Sequence, residues 1–326
     1  MITVKIIEDS LPPNEIRLTT FSLVYPRFIH AEVMTHRVFS RGAASSRALP
    51  IQKVINQIKD NPAKPLFWGQ NERGMMANSE LIGQARDAAE QEWLSARDDA
   101  LRHAQNLNNL GLHKEYTNRV TEPFQLISSI ITATDWDNFF NLRTDNAAQP
   151  EFVALAKEML YQLNACEPKS IPGDWWHLPY VTDEERRSFP IKSLVKFTTA
   201  RCARVSYKTH EGVVDQVRDV QRHDELLASG HMSPFEHAAY PLSTIERCGN
   251  LRGWKQYRKF LSNRYEQQCP QLIQKKRWSS EDQILYDVLE GSGQYDHLSR
   301  TEIWQKLIDY PPHVVEKLLF HLNKWD

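Results

Sequence analysis

Residues 1–7 alternate polar and apolar side chains (Met1-Ile2-Thr3-Val4-Lys5-Ile6-Ile7), the two-residue period of a strand. Residues 17–25 are β-branched and aromatic, lie between Pro12-Pro13 and Pro26, and predict a second strand. Pro26 suits the first turn of a helix, which would carry Phe28, Ile29, Val33 and Met34 on its apolar side. That helix presents His36 and Arg37 near its C-terminal end. Apolar residues then keep helical spacing at 81, 85, 88, 89, 93, 96, 100, 104 and 107, and Gly111 is the natural stop. Residues 124–131 form a short apolar run after Pro123. Phe152, Leu155, Ala156, Met159, Leu160 and Leu163 predict another amphipathic helix.

Residues 167–190 hold Pro168, Pro172, Pro179, Pro190 and Trp175-Trp176, and read as an ordered linker between two halves. Within it Thr182-Asp183-Glu184-Glu185 has capping-box form and predicts a short helix. The apolar run at 194–198 predicts a strand, and a helix follows over 215–229, ended by Gly230. The pattern therefore divides the chain into a half at 1–166, the linker, a second half at 191–278 and a helical tail at 279–326.

Composition narrows the class without deciding it. The chain has 326 residues, 41% of them hydrophobic and 25% charged, with a formal net charge of −1. Such a balance exerts no global pull on nucleic acid or membrane, so any basic surface is local. Cys166, Cys202, Cys248 and Cys269 are scattered, which argues against a zinc knot or disulfide framework and fits a reducing cytosol. No apolar run approaches membrane-spanning length and the N-terminus does not read as a secretion signal, so a cytoplasmic protein is expected.

The chemistry-bearing residues are patterned. Thr35-His36-Arg37 is followed, after seven residues, by Ser45-Ser46-Arg47. The same frame returns as Arg252-Gly253-Trp254, seven residues, then Ser262-Asn263-Arg264-Tyr265. Guanidinium groups grip phosphate or a pyrimidine carbonyl edge, hydroxyls add hydrogen bonds, and an imidazole can stack on a heterocycle. Alone, the first triplet equally suits an amphipathic helix with a solvated basic end.

Four blocks together resemble the flavin-dependent thymidylate synthase family. The first is residues 26–47, similar to its strand, proline, helix and Arg-His-Arg-x7-Ser-x-Arg element. The second holds Gly111-Leu112-His113-Lys114-Glu115 and Arg119-Val120-Thr121-Glu122-Pro123. The third is Asn138-Phe139-Phe140-Asn141-Leu142-Arg143 with Ala148-Gln149-Pro150-Glu151. The fourth pairs Ala203-Arg204-Val205-Ser206 with Gly230-His231-Met232-Ser233-Pro234-Phe235-Glu236-His237. A metal reading of His231, Glu236 and His237 is disfavoured, because Pro234 interrupts a spacing that matches no common ligand set.

The resemblance implies an α+β, thymidylate synthase-like fold, an antiparallel sheet with long helices, built here as two related halves. It implies transfer of a one-carbon unit to C5 of a dUMP-class nucleotide, with FAD as cofactor and NADPH and methylenetetrahydrofolate as co-substrates. Ser45 and Arg47 would then be catalytic. Arg47, Arg119, Arg143, Ser262 and Arg264 would bind substrate, and His36, Arg37, Asn138, Ser206, His231, Ser233 and Glu236 would hold the flavin. A homo-oligomer is expected, dimer or tetramer.

The order of blocks departs from the family. There the Ala-Arg-Val-Ser and Pro-Phe-Glu-His segments come first, so this chain reads as permuted and partly duplicated. Thr35 replaces the leading arginine, while Ala43 and Ala48 stand where the family has glutamate and tyrosine. Another pyrimidine nucleotide or one-carbon product therefore stays open. So does a non-catalytic nucleic-acid reading, for which residues 247–278 interleave basic and aromatic side chains, although overall neutrality weighs against it.

Overall fold

A computed structural model of the chain describes residues 2–206 and 215–261. The N-terminal alternation becomes β1 (Thr3–Leu11), antiparallel to β2 (Leu18–Pro26), the strand expected at 17–25. After Pro26 the expected helix is shorter and broken: a 3-10 turn at Arg27–Ile29 leads into α1 (His30–Val33). Met34 falls beyond it and is 41% exposed, so it does not line the apolar side. Then come β3 (Ser40–Ala43), α2 (Ile51–Asp60), α3 (Gly83–Asn109), α4 (Lys114–Thr117), β4 (Leu126–Ala133), α5 (Asp137–Arg143) and α6 (Pro150–Ala165). The predicted stop of α3 is present, with Gly111 at φ +85°, a conformation that favours a residue without Cβ.

Residues 167–190 are ordered. They hold β5 (Lys169–Ser170), core residues Ile171, Leu178 and Val181, and α7 (Asp183–Ser188). The capping box is formed: Glu185 N donates to Thr182 Oγ1 at 3.2 Å, and Thr182 N donates to Glu185 Oε2 at 3.0 Å. The strand expected at 194–198 is instead α8 (Ile191–Ala203), entered directly from Pro190. A short apolar run does not distinguish a buried strand from a helix buried on all sides. Here Thr199, Ala200, Arg201 and Cys202 extend the buried run beyond strand length. Next are α9 (Gln216–Ala228), stopped at Gly230 as expected, and the short strands β6 (Ala239–Pro241), β7 (Arg247–Cys248), β8 (Leu251–Arg252) and β9 (Trp254–Gln256). The tail at 279–326 lies outside the described residues.

The chain is α+β with a sheet that is mostly antiparallel. Its five strands run in the order β3-β4-β2-β1-β5, and only the β1–β5 pair is parallel. Side chains alternate across such a sheet, so Phe21, Leu23 and Tyr25 of β2 share one face with Ile127 and Ile131 of β4. Phe139 and Phe140 of α5 and Phe152, Leu155 and Met159 of α6 cover that face and form the main core. The opposite face carries the cross-strand pair Thr20 and Thr132. Residues through Phe260 form one compact unit.

Candidate active site

Segment 35–48 starts where α1 ends. Thr35 closes the turn, its Oγ1 donating to the carbonyl of Glu32 at 2.6 Å. His36 then enters the core and is 8% exposed. Its ring stacks on Phe39 with centroids 5.6 Å apart and meets the edges of Phe139 and Phe152 at 4.9 and 6.0 Å. Arg143, at the end of α5, reaches this ring from the third sequence block. Its Nε donates to His36 Nε2 at 3.1 Å, its Nη1 donates to Glu32 Oε2 at 3.1 Å, and its guanidinium lies 4.5 Å over Phe152. Burial, with the cations of Arg143 and Arg41 beside it, pushes the His36 pKa down to about 4. A neutral ring keeps Nε2 available as the acceptor for Arg143. With aromatic side chains around it, His36 serves as a platform for the arginine.

The second block meets the far end of the same segment. Arg47 Nη1 donates to Glu115 Oε1 at 3.0 Å, Lys114 Nζ to the carbonyl of Ala48 at 3.3 Å, and Asn118 Nδ2 to the carbonyls of Ser46 and Leu49 at 2.6 and 2.9 Å. Ser45 accepts from Arg47 N at 3.3 Å and initiates this turn. Ser45 and Ser46 border a cavity of about 210 Å³, walled by Val24, Leu49, Val54 and Ile58, with Arg27 at its polar side. Arg119 stands 3.7 Å from Glu122, which also pairs with Arg27 at 3.2 Å.

The fourth block closes on β3 between these two ends. Ser233 Oγ donates to the carbonyl of Arg41 at 3.5 Å, and the 3-10 turn Arg204–Ser206 lies against β3 and β4. Glu236 is paired with Arg258. The second frame and the residues just before it also arrive here: Asn250 Nδ2 donates to the carbonyl of Val38 at 3.2 Å and to Ser40 Oγ at 3.0 Å, and Gln256 Nε2, within the frame, donates to Ser40 Oγ at 2.7 Å. Arg252 of that frame pairs with Asp135 at 3.3 Å. The other three blocks, far apart in sequence, thus all touch residues 35–48 of the first.

Apart from Ser206 and Glu236, the expected residues fall into three groups. His36 and Arg143 contact each other in the interior. Arg37, Ser45, Arg47, Arg119, Asn138, His231 and Ser233 are exposed, and His231 Nδ1 hydrogen-bonds Ser229 Oγ at 2.9 Å. Ser262 and Arg264 lie outside the described residues. Sequence reasoning missed Glu32, Asn250 and Gln256, which steady the segment through contacts that no local pattern encodes. Among the described residues, no group of three or more His, Cys, Asp or Glu side chains could hold a metal ion, and no helix is long and apolar enough to cross a membrane.

Residues 11–169 match the model of the thymidylate synthase complementing protein family, a stretch that contains the first three blocks. Among solved structures, the chain is similar to a UMP/dUMP methylase PolB from Streptomyces cacaoi bound with 5-Br UMP. The two are 16% identical, with a TM-score of 0.41, over 51% of this chain and 89% of that chain. The same methylase bound with 5-Br dUMP gives 15% identity and a TM-score of 0.40, over 51% and 91%. No curated protein matches this chain in sequence. The likeness to the thymidylate synthase complementing protein family is thus carried by residues 11–169, just under half of the chain.

Proposed function

We propose that the chain methylates C5 of dUMP, taking the one-carbon unit from methylenetetrahydrofolate with FAD as cofactor and NADPH as reductant. The convergence of the other three blocks on residues 35–48 of the first carries this reading. The donor set suits a dinucleotide: a guanidinium at Arg37 for its diphosphate, an amide at Asn138 for a ring edge, and an imidazole and hydroxyl at His231 and Ser233. All four are exposed. Ser206 and Glu236 complete the proposed flavin set, and bound FAD would supply the reducing electrons.

The chain's own part is geometric and electrostatic. Arg47, Arg119 and Arg143 would neutralise the nucleotide phosphate and polarise the pyrimidine, with Ser45 beside them. His36, in this arrangement, positions Arg143. Ser262 and Arg264 would add substrate contacts from the second frame. We further propose that 1–166 and 191–278 are diverged halves of a permuted, partly duplicated ancestor, joined by 167–190 and followed by the tail at 279–326. A cytoplasmic homo-oligomer, dimer or tetramer, is proposed as the working form. Gly42, Ala43 and Ala48 on the nucleotide side also favour a second reading, the same chemistry on another pyrimidine nucleotide or with another one-carbon product.

The test is an absorbance spectrum after dialysis against FAD, followed by turnover with dUMP and product mass. A retained flavin band with a methylated product is expected. A flavin band with another mass gain would select the second reading. No flavin, together with steeply salt-dependent nucleic-acid binding, would overturn both.

A further inference from the structure

Between α2 and the ends of β2 and β4 lies the cavity of about 210 Å³ that Ser45 and Ser46 border. Of the residues assigned above to nucleotide or flavin, only Ser45 lines it. α2 repeats buried apolar residues at 51, 54, 55 and 58, the period of one helix face, and Val54 and Ile58 form one wall. Val24 of β2 and Leu49 form the other. Ser45, Asp60 and Asn61 are exposed and stand at the mouth, so the cavity opens to solvent.

Arg27 and Gln125 line its polar side, opposite each other where the β2–β4 pairing ends. Arg27 N donates to the carbonyl of Gln125 at 2.9 Å, one residue beyond the Pro26–Leu126 pair. The Arg27 side chain is 17% exposed, and burial lowers its pKa from the ordinary arginine range. Among the described residues its one side-chain hydrogen bond is long, from Nη1 to the carbonyl of Ala44 at 3.5 Å. Its Nη2 stands 3.2 Å from Glu122 Oε1, yet that oxygen is buried with no hydrogen-bond partner. The contact is an ion pair without a hydrogen bond, and the guanidinium keeps donors for a ligand. Gln125 offers the complement. It is buried, and its Nε2 donates to the carbonyl of Asn118 at 3.0 Å and to Thr121 Oγ1 at 2.9 Å. A carbonyl only accepts, so the amide cannot be turned round, and Oε1 is the end left without a partner among the described residues.

These walls select a ligand by charge, size and edge. Glu122 already offsets Arg27, and Asp60 adds a second carboxylate, which disfavours an anion. An apolar cavity of about 150 Å³ takes a benzene ring, so this one has room for a single six-membered ring with its oxygens and not for a flavin. Arg27 requires an acceptor and Gln125 a donor, and a cyclic amide carries the two side by side. We propose that the cavity binds an uncharged six-membered cyclic amide, such as a pyrimidine base, with its carbonyl oxygen on Arg27 and its ring N–H on Gln125 Oε1. The ring is either a free base or the base of a nucleotide whose sugar and phosphate pass the mouth at Ser45. The site goes beyond the nucleotide and flavin assignment and stands without it.

Nitrogen-15 NMR of the full-length protein, labelled in its backbone and arginine side chains, tests this with uracil as the probe. Uracil should move Arg27 Nε and the amides around Ser46, Ile58 and Gln125. Fully N-methylated uracil, which keeps the carbonyls and lacks the N–H, should bind about tenfold more weakly or worse, and benzoate should not bind. Val54→Phe, which fills the cavity, should abolish the uracil shift at Arg27, and Gln125→Met should weaken uracil about tenfold. A dUMP arm identifies the source. If Val54→Phe also weakens dUMP, the ring is the nucleotide's; if dUMP binds that variant as it binds the wild type, the site takes a free base. Failure of uracil to bind the wild type would overturn the proposal. So would uracil shifts that miss Arg27, or that benzoate or N-methylated uracil reproduces. If uracil binds as expected and dUMP does not bind at all, this site stands and the proposed function falls.

Discussion

Arg143 and Arg201 both meet the protein interior, and they differ in what their donors have left to do. Arg201 Nε donates to Asp219 at 2.8 Å, Nη1 to Glu185 and to the carbonyl of Tyr180 at 2.7 Å each, and Nη2 to Glu185 at 2.6 Å. Its side chain is 6% exposed and both carboxylates are at least as buried. Arg143 has a neutral imidazole on Nε and a carboxylate, 39% exposed, on Nη1; among the described residues its Nη2 has no acceptor. A guanidinium saturated by its own chain holds α7, α8 and α9 together. One that is oriented yet incompletely paired is available to an anion. Placement of donors, more than burial, separates the structural arginine from the candidate site arginine.

Breaking each arginine should separate stability from binding. Arg201→Met should cost about 3–5 kcal/mol of folding stability, because Glu185 and Asp219 are left buried and uncompensated. A denaturant midpoint close to the wild type would refute the structural role. Arg143→Ala should weaken dUMP binding by roughly 2 kcal/mol or more, read by calorimetry, with Arg47→Ala acting in the same direction. Its stability loss, about 1–2 kcal/mol for the unpaired acceptor left on His36, should stay below that of Arg201→Met. Unchanged nucleotide affinity in both alanine variants would remove these arginines from the site.

Acid should reach the two regions in different windows. His36 has a folded pKa near 4, below the ordinary 6.5, so its contribution is present above about 6.5 and is lost as pH falls toward 4. Although burial alone would raise it, the carboxyl of Glu185 is held near 2 by Arg201 and the Thr182 amide, so its contribution persists to about pH 4.5 and is lost below that. Arg143→Ala should raise the His36 pKa, seen by NMR titration, and shrink the stability loss between pH 6.5 and 4. Glu185→Gln should instead flatten the lower window. The smallest effect belongs to Glu115→Ala. The Arg47–Glu115 pair is solvent-exposed, so its removal should change stability by about 0–1 kcal/mol, and a larger change in the unfolding midpoint would mean the pair is structural.

Much of the scaffold was legible in the residues. The strand before Pro26, the long helix stopped at Gly111, the capping box at Thr182 and the helix stopped at Gly230 each follow from local chemistry. Residues 194–198 misled because their short apolar run has the same composition in a buried strand and in a helix buried on all sides. The arrangement of the candidate site was not legible. His36 and Arg143 were both expected, but their contact spans 107 residues and no local pattern encodes it. Asn250 and Gln256 carry no motif, since a side-chain amide capping a distant carbonyl leaves no period in the sequence.

The clasp on β3 has a consequence for how the molecule is made. Among the described residues β3 is an edge strand, paired only with β4, and side chains of Ser233 and Asn250 cover carbonyls in and before it from 192 and 212 residues away. Contacts of such separation pay their loop-closure entropy before they return any stability, and they form late. During synthesis, β2 and β4 can pair long before these residues emerge, while β3 waits with an uncovered edge. The surface that gathers the motifs is therefore completed near the end of folding, and until then it is the part of the sheet most open to pairing with another chain.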